Sequence, residues 1–157
     1  GGVRSNNYAL GISGRYDLGD DLTFSGGFAR NSVGSQQVNN ITAGASYVNG
    51  PWDASADFIL NNEGDNFDNW SVVSTLGYQC TEYFQGFAQW EIGKYDGDLN
   101  LLTVGGNYDL GHNLVWTNTL GLSMQSLGSQ FVTDNTGWRS SSDRGQWVAR
   151  SVITFSF

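Results

Sequence analysis

Stretch after stretch of this chain alternates, residue by residue, between a greasy side and a polar one. Trp52, Ala54, Ala56, Phe58 and Leu60 interleave with Asp53, Ser55 and Asp57, and Phe84, Gly86, Ala88, Trp90 and Ile92 interleave with Gln85, Gln89 and Glu91. The last residues do the same: Trp147, Ala149, Ile153, Phe155 and Phe157 on one side, Val148, Arg150, Val152, Thr154 and Ser156 on the other. A period of two sends successive side chains to opposite faces of a strand, whereas a helix would repeat near 3.6. The chain therefore reads as all-β.

Punctuation divides it evenly. Leu18-Gly19-Asp20-Asp21, Asn49-Gly50-Pro51, Gln79-Cys80-Thr81-Glu82 and Leu110-Gly111-His112-Asn113 each follow the last by about 31 residues, and each is a short turn signal. Longer polar stretches fall between them, at residues 31–40, 61–69, 93–99 and 126–145. The predicted unit is a hairpin, with tight turns on one side, long loops on the other, and about nine strands in all.

What the greasy side faces is a question of length and composition. The 157 residues make one domain, 1–157, with a single Pro and no run near the roughly 18 to 20 apolar residues of a spanning helix. A strand that crosses a bilayer needs only about 10 alternating residues, which tilted near 40° stand about 25 Å tall. Tyr16, Tyr47, Trp52, Tyr78 and Tyr108 lie beside the short turns, and Trp70, Trp90 and Trp147 lie toward the long loops. Rings with one polar edge suit the two headgroup levels of a membrane, whereas a soluble sandwich would crowd its large side chains at the strand middles. The expectation is an antiparallel transmembrane β-barrel in the outer membrane of a Gram-negative bacterium, in contact with lipid. Phe155 and Phe157 would be the signal read by the barrel-assembly machinery. Small outward residues at Ala43, Ala45, Ala54, Ala56 and Ser74 would let another protein surface approach closely.

The polar side then lines the interior, and its candidate pore-lining residues are Arg15, Asp53, Asp57, Gln89, Glu91 and Arg150. Asp53 and Asp57, four apart on one strand, are about 13 Å apart. Paired carboxylates of a hydrolase sit within about 5 to 10 Å, so a charged wall is the better reading. His112 falls in a turn with no Ser or Cys beside it and reads as a solvated turn residue. Cys80 is the only cysteine, and no metal-ligand spacing appears, although Asp65, Asp68, Asp96 and Asp98 bring oxygens to the loops. No catalytic residues, cofactor or metal are expected. A net charge of −8 with seven scattered basic residues argues against nucleic acid.

Strand count adds a constraint: a bacterial single-chain barrel has an even number of strands with both ends on the short-turn side. Nine strands, the first entering from the long-loop side, suggest the carboxy-terminal part of a larger barrel. The alternative is a complete eight-stranded barrel behind a short leader.

The segment Tyr95-Asp96-Gly97-Asp98-Leu99-Asn100-Leu101-Leu102-Thr103-Val104-Gly105-Gly106-Asn107-Tyr108-Asp109-Leu110-Gly111-His112-Asn113 resembles the penultimate hairpin of the phosphate-selective porin (O and P type) superfamily, planctomycete-like members especially. Gly137-Trp138-Arg139-Ser140 and Gln146-Trp147-Val148-Ala149-Arg150 are similar to the tail of the same proteins, so the resemblance covers roughly the last third of the chain. It implies a sixteen-stranded, trimeric diffusion channel for small hydrophilic solutes and ions, with its carboxy-terminus in the periplasm. Anion-selective members carry ladders of Arg and Lys. Here only Arg15 and Arg150 stand on the inner side, against Asp53, Asp57 and Glu91, so the resemblance carries channel architecture without phosphate selectivity. Against this passive pore stands a small structural or anchoring barrel with a filled lumen. An inner side rich in Gly, Ala, Ser and Thr favours the pore.

Overall fold

The computed structural model describes residues 8–33, 36–63, 66–94, 97–125 and 145–156. Within them lie nine strands and no helix: β1 (Tyr8–Leu18), β2 (Leu22–Val33), β3 (Gln36–Asn49), β4 (Trp52–Glu63), β5 (Asn66–Thr81), β6 (Phe84–Lys94), β7 (Asp98–Gly111), β8 (Leu114–Ser123) and β9 (Gln146–Phe155). They form one antiparallel sheet in chain order, each strand hydrogen-bonded to its sequence neighbours. Among the described residues β1 pairs only with β2 and β9 only with β8, so the sheet is open at both edges. An odd number of alternating strands makes β1 and β9 run in the same direction.

The four expected tight turns are present, at 19–21, 50–51, 82–83 and 112–113. In the last, His112 and Asn113 have φ of 53° and 61°. Two consecutive left-handed residues are the I′ geometry whose twist matches the strands it joins. The Asp109 carboxylate braces that turn by accepting the Gly111 N–H at 2.8 Å. His112 is exposed there.

The other side departs from expectation. Three of the four long polar stretches are largely strand, since β2 runs to Val33 and β3 starts at Gln36, β4 runs to Glu63 and β5 starts at Asn66, and β6 runs to Lys94 with β7 starting at Asp98. Pairing continues through Asn31↔Val38, Ser32↔Gln37 and Val33↔Gln36. Asn and Gln on both faces resemble a loop in sequence, yet their backbones ladder as well as any others. The fourth stretch, 126–144, lies outside the described residues, as do Asp65, Asp96, Trp138 and Phe157.

Register shows that the sheet is sheared. Leu18, at the short-turn end of β1, pairs with Leu22, and the row continues through Tyr47, Ala54, Leu76, Ala88, Val104 and Leu120 to Ala149. Ala149 lies six residues before Phe155, the end of β9. A hydrogen-bonded row thus climbs steadily away from the short turns, the stagger that inclined strands of a barrel require.

The two faces are inverted relative to a soluble protein. Along β8, Trp116, Asn118 and Leu120 are exposed while Thr117 and Thr119 are half-buried and Gly121 and Ser123 buried. The sheet therefore curls toward its polar face. On the convex side Leu10, Ile12, Trp90, Val104, Leu120 and Ile153 are all exposed, Ile12 to 76%. The buried hydrophobic residues are Leu99 and Leu101, both of concave-face parity. Each large apolar side chain left in water forgoes roughly 1.5 to 3 kcal/mol of burial, so a surface with this many is costly to leave in water.

Candidate functional site: the concave polar face

Register assembles the concave face into oblique rows. Arg15, Ser25, Gly44, Asp57, Val73 and Glu91 form one, leading on to Leu101 and Ser123. The next is Asp17, Thr23, Ser46, Ser55, Thr75, Gln89, Thr103 and Gly121, five of the eight small hydroxyls. A third holds Val48, Asp53, Gly77, Phe87, Gly105, Thr119 and Arg150. The six candidate residues thus all have concave-face parity: Arg15, Asp57 and Glu91 on one row, Gln89 on the second, Asp53 and Arg150 on the third.

Glycines decide where the carboxylates lie. A Cβ built on Gly77 would stand 2.3 Å from Asp53 Oδ1, and one on Gly44 would stand 2.2 Å from Asp57 Oδ1. Asp53 therefore leans across β5 and Asp57 across β3, in opposite directions from the strand they share. They are not a pair, which removes the geometry of two-carboxylate hydrolysis.

Across Gly77, Asp53 reaches a chain that the candidate list omitted. Thr117 Oγ1 donates to Asn107 Oδ1 at 2.9 Å, Asn107 Nδ2 donates to Gln85 Oε1 at 3.2 Å, and Gln85 Nε2 donates to Asp53 Oδ1 at 2.7 Å. Every member donates toward the carboxylate, so each bond polarises the next and both amides are locked in one orientation. Part of the sequence signal was available: Gln85, Asn107 and Thr117 share the polar parity, and the turn at 112–113 sets Thr117 opposite Asn107, while Gln85 meets Asn107 through the register of β6 on β7. At β1 and β2, Arg15 Nε donates to Asp17 Oδ1 at 2.8 Å, and Thr23 Oγ1 donates to the same oxygen at 2.6 Å. Arg15 is thereby neutralised by its own strand.

The convex face carries most of the aromatic residues. Trp52 and Tyr78 pack with ring centroids 4.6 Å apart, and Phe84 and Tyr108 at 6.3 Å, beside the short turns. Tyr16 and Tyr47 are exposed at the same end. Toward the other end Trp70 stands eleven residues from Thr81 and Trp147 eight from Phe155. Trp90 sits lower, six residues from Phe84, and its Nε1 donates to Asn100 Oδ1 at 2.9 Å. A Trp at mid-height needs such a partner for its N–H. Phe155 pairs with Leu114 and is exposed. Among the described residues no group of three His, Cys, Asp or Glu could hold a metal, and Cys80 is free and exposed.

What the arrangement can do chemically is present water with carboxylates, amides and hydroxyls on one face and a nonaqueous phase with hydrocarbon and ring edges on the other. Compared with known families and curated sequences, the chain matches no family model and no curated protein.

Proposed function

We propose that this chain forms part of the wall of an outer-membrane porin, a water-filled channel for passive diffusion of small hydrophilic solutes and ions. The observation that carries the reading is the inversion of polarity: the enclosed face is hydroxyl, amide and carboxylate, and the exposed face is apolar with rings near the strand ends. The stagger of the register supports it, since a closed barrel needs inclined strands. Hydrocarbon cannot satisfy the free N–H and C=O groups along β1 and β9. Those two strands run the same way, so an antiparallel closure takes an odd number of further strands, seven in a sixteen-stranded barrel. Homo-trimerisation belongs to the same reading; Ala45, Ala56 and Ser74 are direct register partners on the convex face and would admit a neighbouring surface. The rows of Ser, Thr and Gly leave the interior open and favour a channel over a plugged anchoring barrel.

Cysteine accessibility tests this. In a Cys80→Ser background, Gln89→Cys on the concave face should react with a small charged thiol reagent in intact outer membranes, and Leu120→Cys on the convex face should not. Equal reactivity at both, or recovery of the unmodified chain as a soluble monomer in plain buffer, would remove the membrane assignment.

A further inference from the structure

At the short-turn end of the concave face lies a depression of about 490 Å³, within the usual size range of small-molecule sites. Six of its side chains can bind: Gln79, Glu82, Tyr83, Gln85, Asn107 and Asp109. We propose that it is a binding site for hydroxyl-rich, uncharged solutes, a saccharide or polyol, at the inner mouth of the channel. This rests on reading the concave face as channel wall, and it names the solute class that the wall recognises.

Four of these side chains, Gln79, Gln85, Asn107 and Asp109, are held before any ligand arrives. Gln85 and Asn107 are locked in the chain that ends on Asp53. Each amide spends one N–H there and keeps a second. Gln79 Nε2 donates to the Thr81 carbonyl at 2.7 Å, and Asp109 accepts from Gly111 with one oxygen. The Tyr83 backbone is fixed on both sides: its N–H and that of Phe84 donate to Thr81 Oγ1, and its carbonyl accepts the Asp109 N–H at 2.8 Å. Tyr83 is 53% exposed. A rigid ring beside fixed polar groups offers contact area at little entropic cost.

The mixture of groups selects the ligand. Amide N–H donors and carboxylate acceptors line one depression. A metal ion or organic cation would use Glu82, Asp109 and the Gln79 Oε1 but leave the second N–H of Gln85 and of Asn107 facing positive charge. An anion would suit the amides and meet two carboxylates. A hydroxyl donates and accepts at once, so a polyhydroxylated ring satisfies both sets while its C–H face lies on Tyr83.

The test uses the protein with every strand of its barrel, refolded in a detergent without a sugar headgroup. Saturation-transfer NMR is recorded with maltose and with choline, and ion conductance is measured in planar bilayers from the same preparation. Maltose should show contact and choline none, and Tyr83→Ala and Gln85→Leu should each weaken the maltose signal about five- to tenfold while keeping heat-modifiable gel mobility. Absence of maltose contact, equal contact in both folded variants, or choline in place of maltose would overturn the proposal. Conductance without sugar contact sinks this site and leaves the channel standing; sugar contact without conductance does the reverse.

Discussion

Small residues on the inner face act as clearances for their neighbours. Gly77 leaves room for the Asp53 carboxylate, and Gly93 leaves room for backbone, because a Cβ there would stand 2.1 Å from the Trp70 carbonyl oxygen and 2.7 Å from Ser71 Cα. A carboxylate can swing aside but a strand cannot. Gly77→Ala should therefore cost about 1 to 2 kcal/mol, the worth of the displaced hydrogen bond to Gln85. Gly93→Ala should cost more, about 3 kcal/mol, and Gly14→Ala, with nothing within 4 Å of the added methyl, should be near neutral. Urea titration in micelles ranks the three, and a Gly93→Ala protein as stable as Gly14→Ala would contradict the close approach of β5 and β6. None of this was legible beforehand. Composition shows that the inner side is rich in glycine, but which glycine faces a carboxylate and which faces a carbonyl depends on register and strand coiling.

At the level of the strand, the sequence was most informative where faces differ and least where they do not. The alternation of β4, β6, β8 and β9 and the four tight turns could be read directly, since Gly19, Gly50, Gly111 and Asn113 mark left-handed positions at three of the turns and hydrophobic parity marks the strands. The ends of β2 to β5 could not, because Val33-to-Asn40 and Asn61-to-Asn69 are polar on both faces. The last strand bears its own prediction. Its final registered pair is Phe155↔Leu114, so deleting Phe157 removes no described pairing. Refolding into detergent should survive the deletion, while insertion in cells falls sharply, as measured by fractionation with heat-modifiable mobility as the sign of a folded barrel. Equal loss in both assays would make Phe157 a structural residue and not an assembly signal.

For the molecule as a whole, the fold class and the polar face followed from periodicity, and the resemblance added strand total and oligomeric state as expectations. Its anion-binding theme finds little support in the charges. Arg15 is bound to Asp17, which leaves Arg150 opposite Asp53, Asp57 and Glu91 on the described concave rows. The channel should conduct with weak cation preference or none, read from reversal potentials in asymmetric salt. Strong anion selectivity would require a basic ladder on the strands that complete the barrel.

The climb of the register changes what those charges amount to. Arg15 lies three residues from the short-turn end of its strand, Asp57 five and Glu91 seven, although all three share one hydrogen-bonded row. Two residues of an inclined strand are about 5 Å of depth. In the proposed channel this base and two acids would form a staircase and not a collar: an ion passing along the axis would meet them one after another, each partly hidden from the next by salt over a Debye length of about 8 Å. Such a passage would hand ions onward without trapping them.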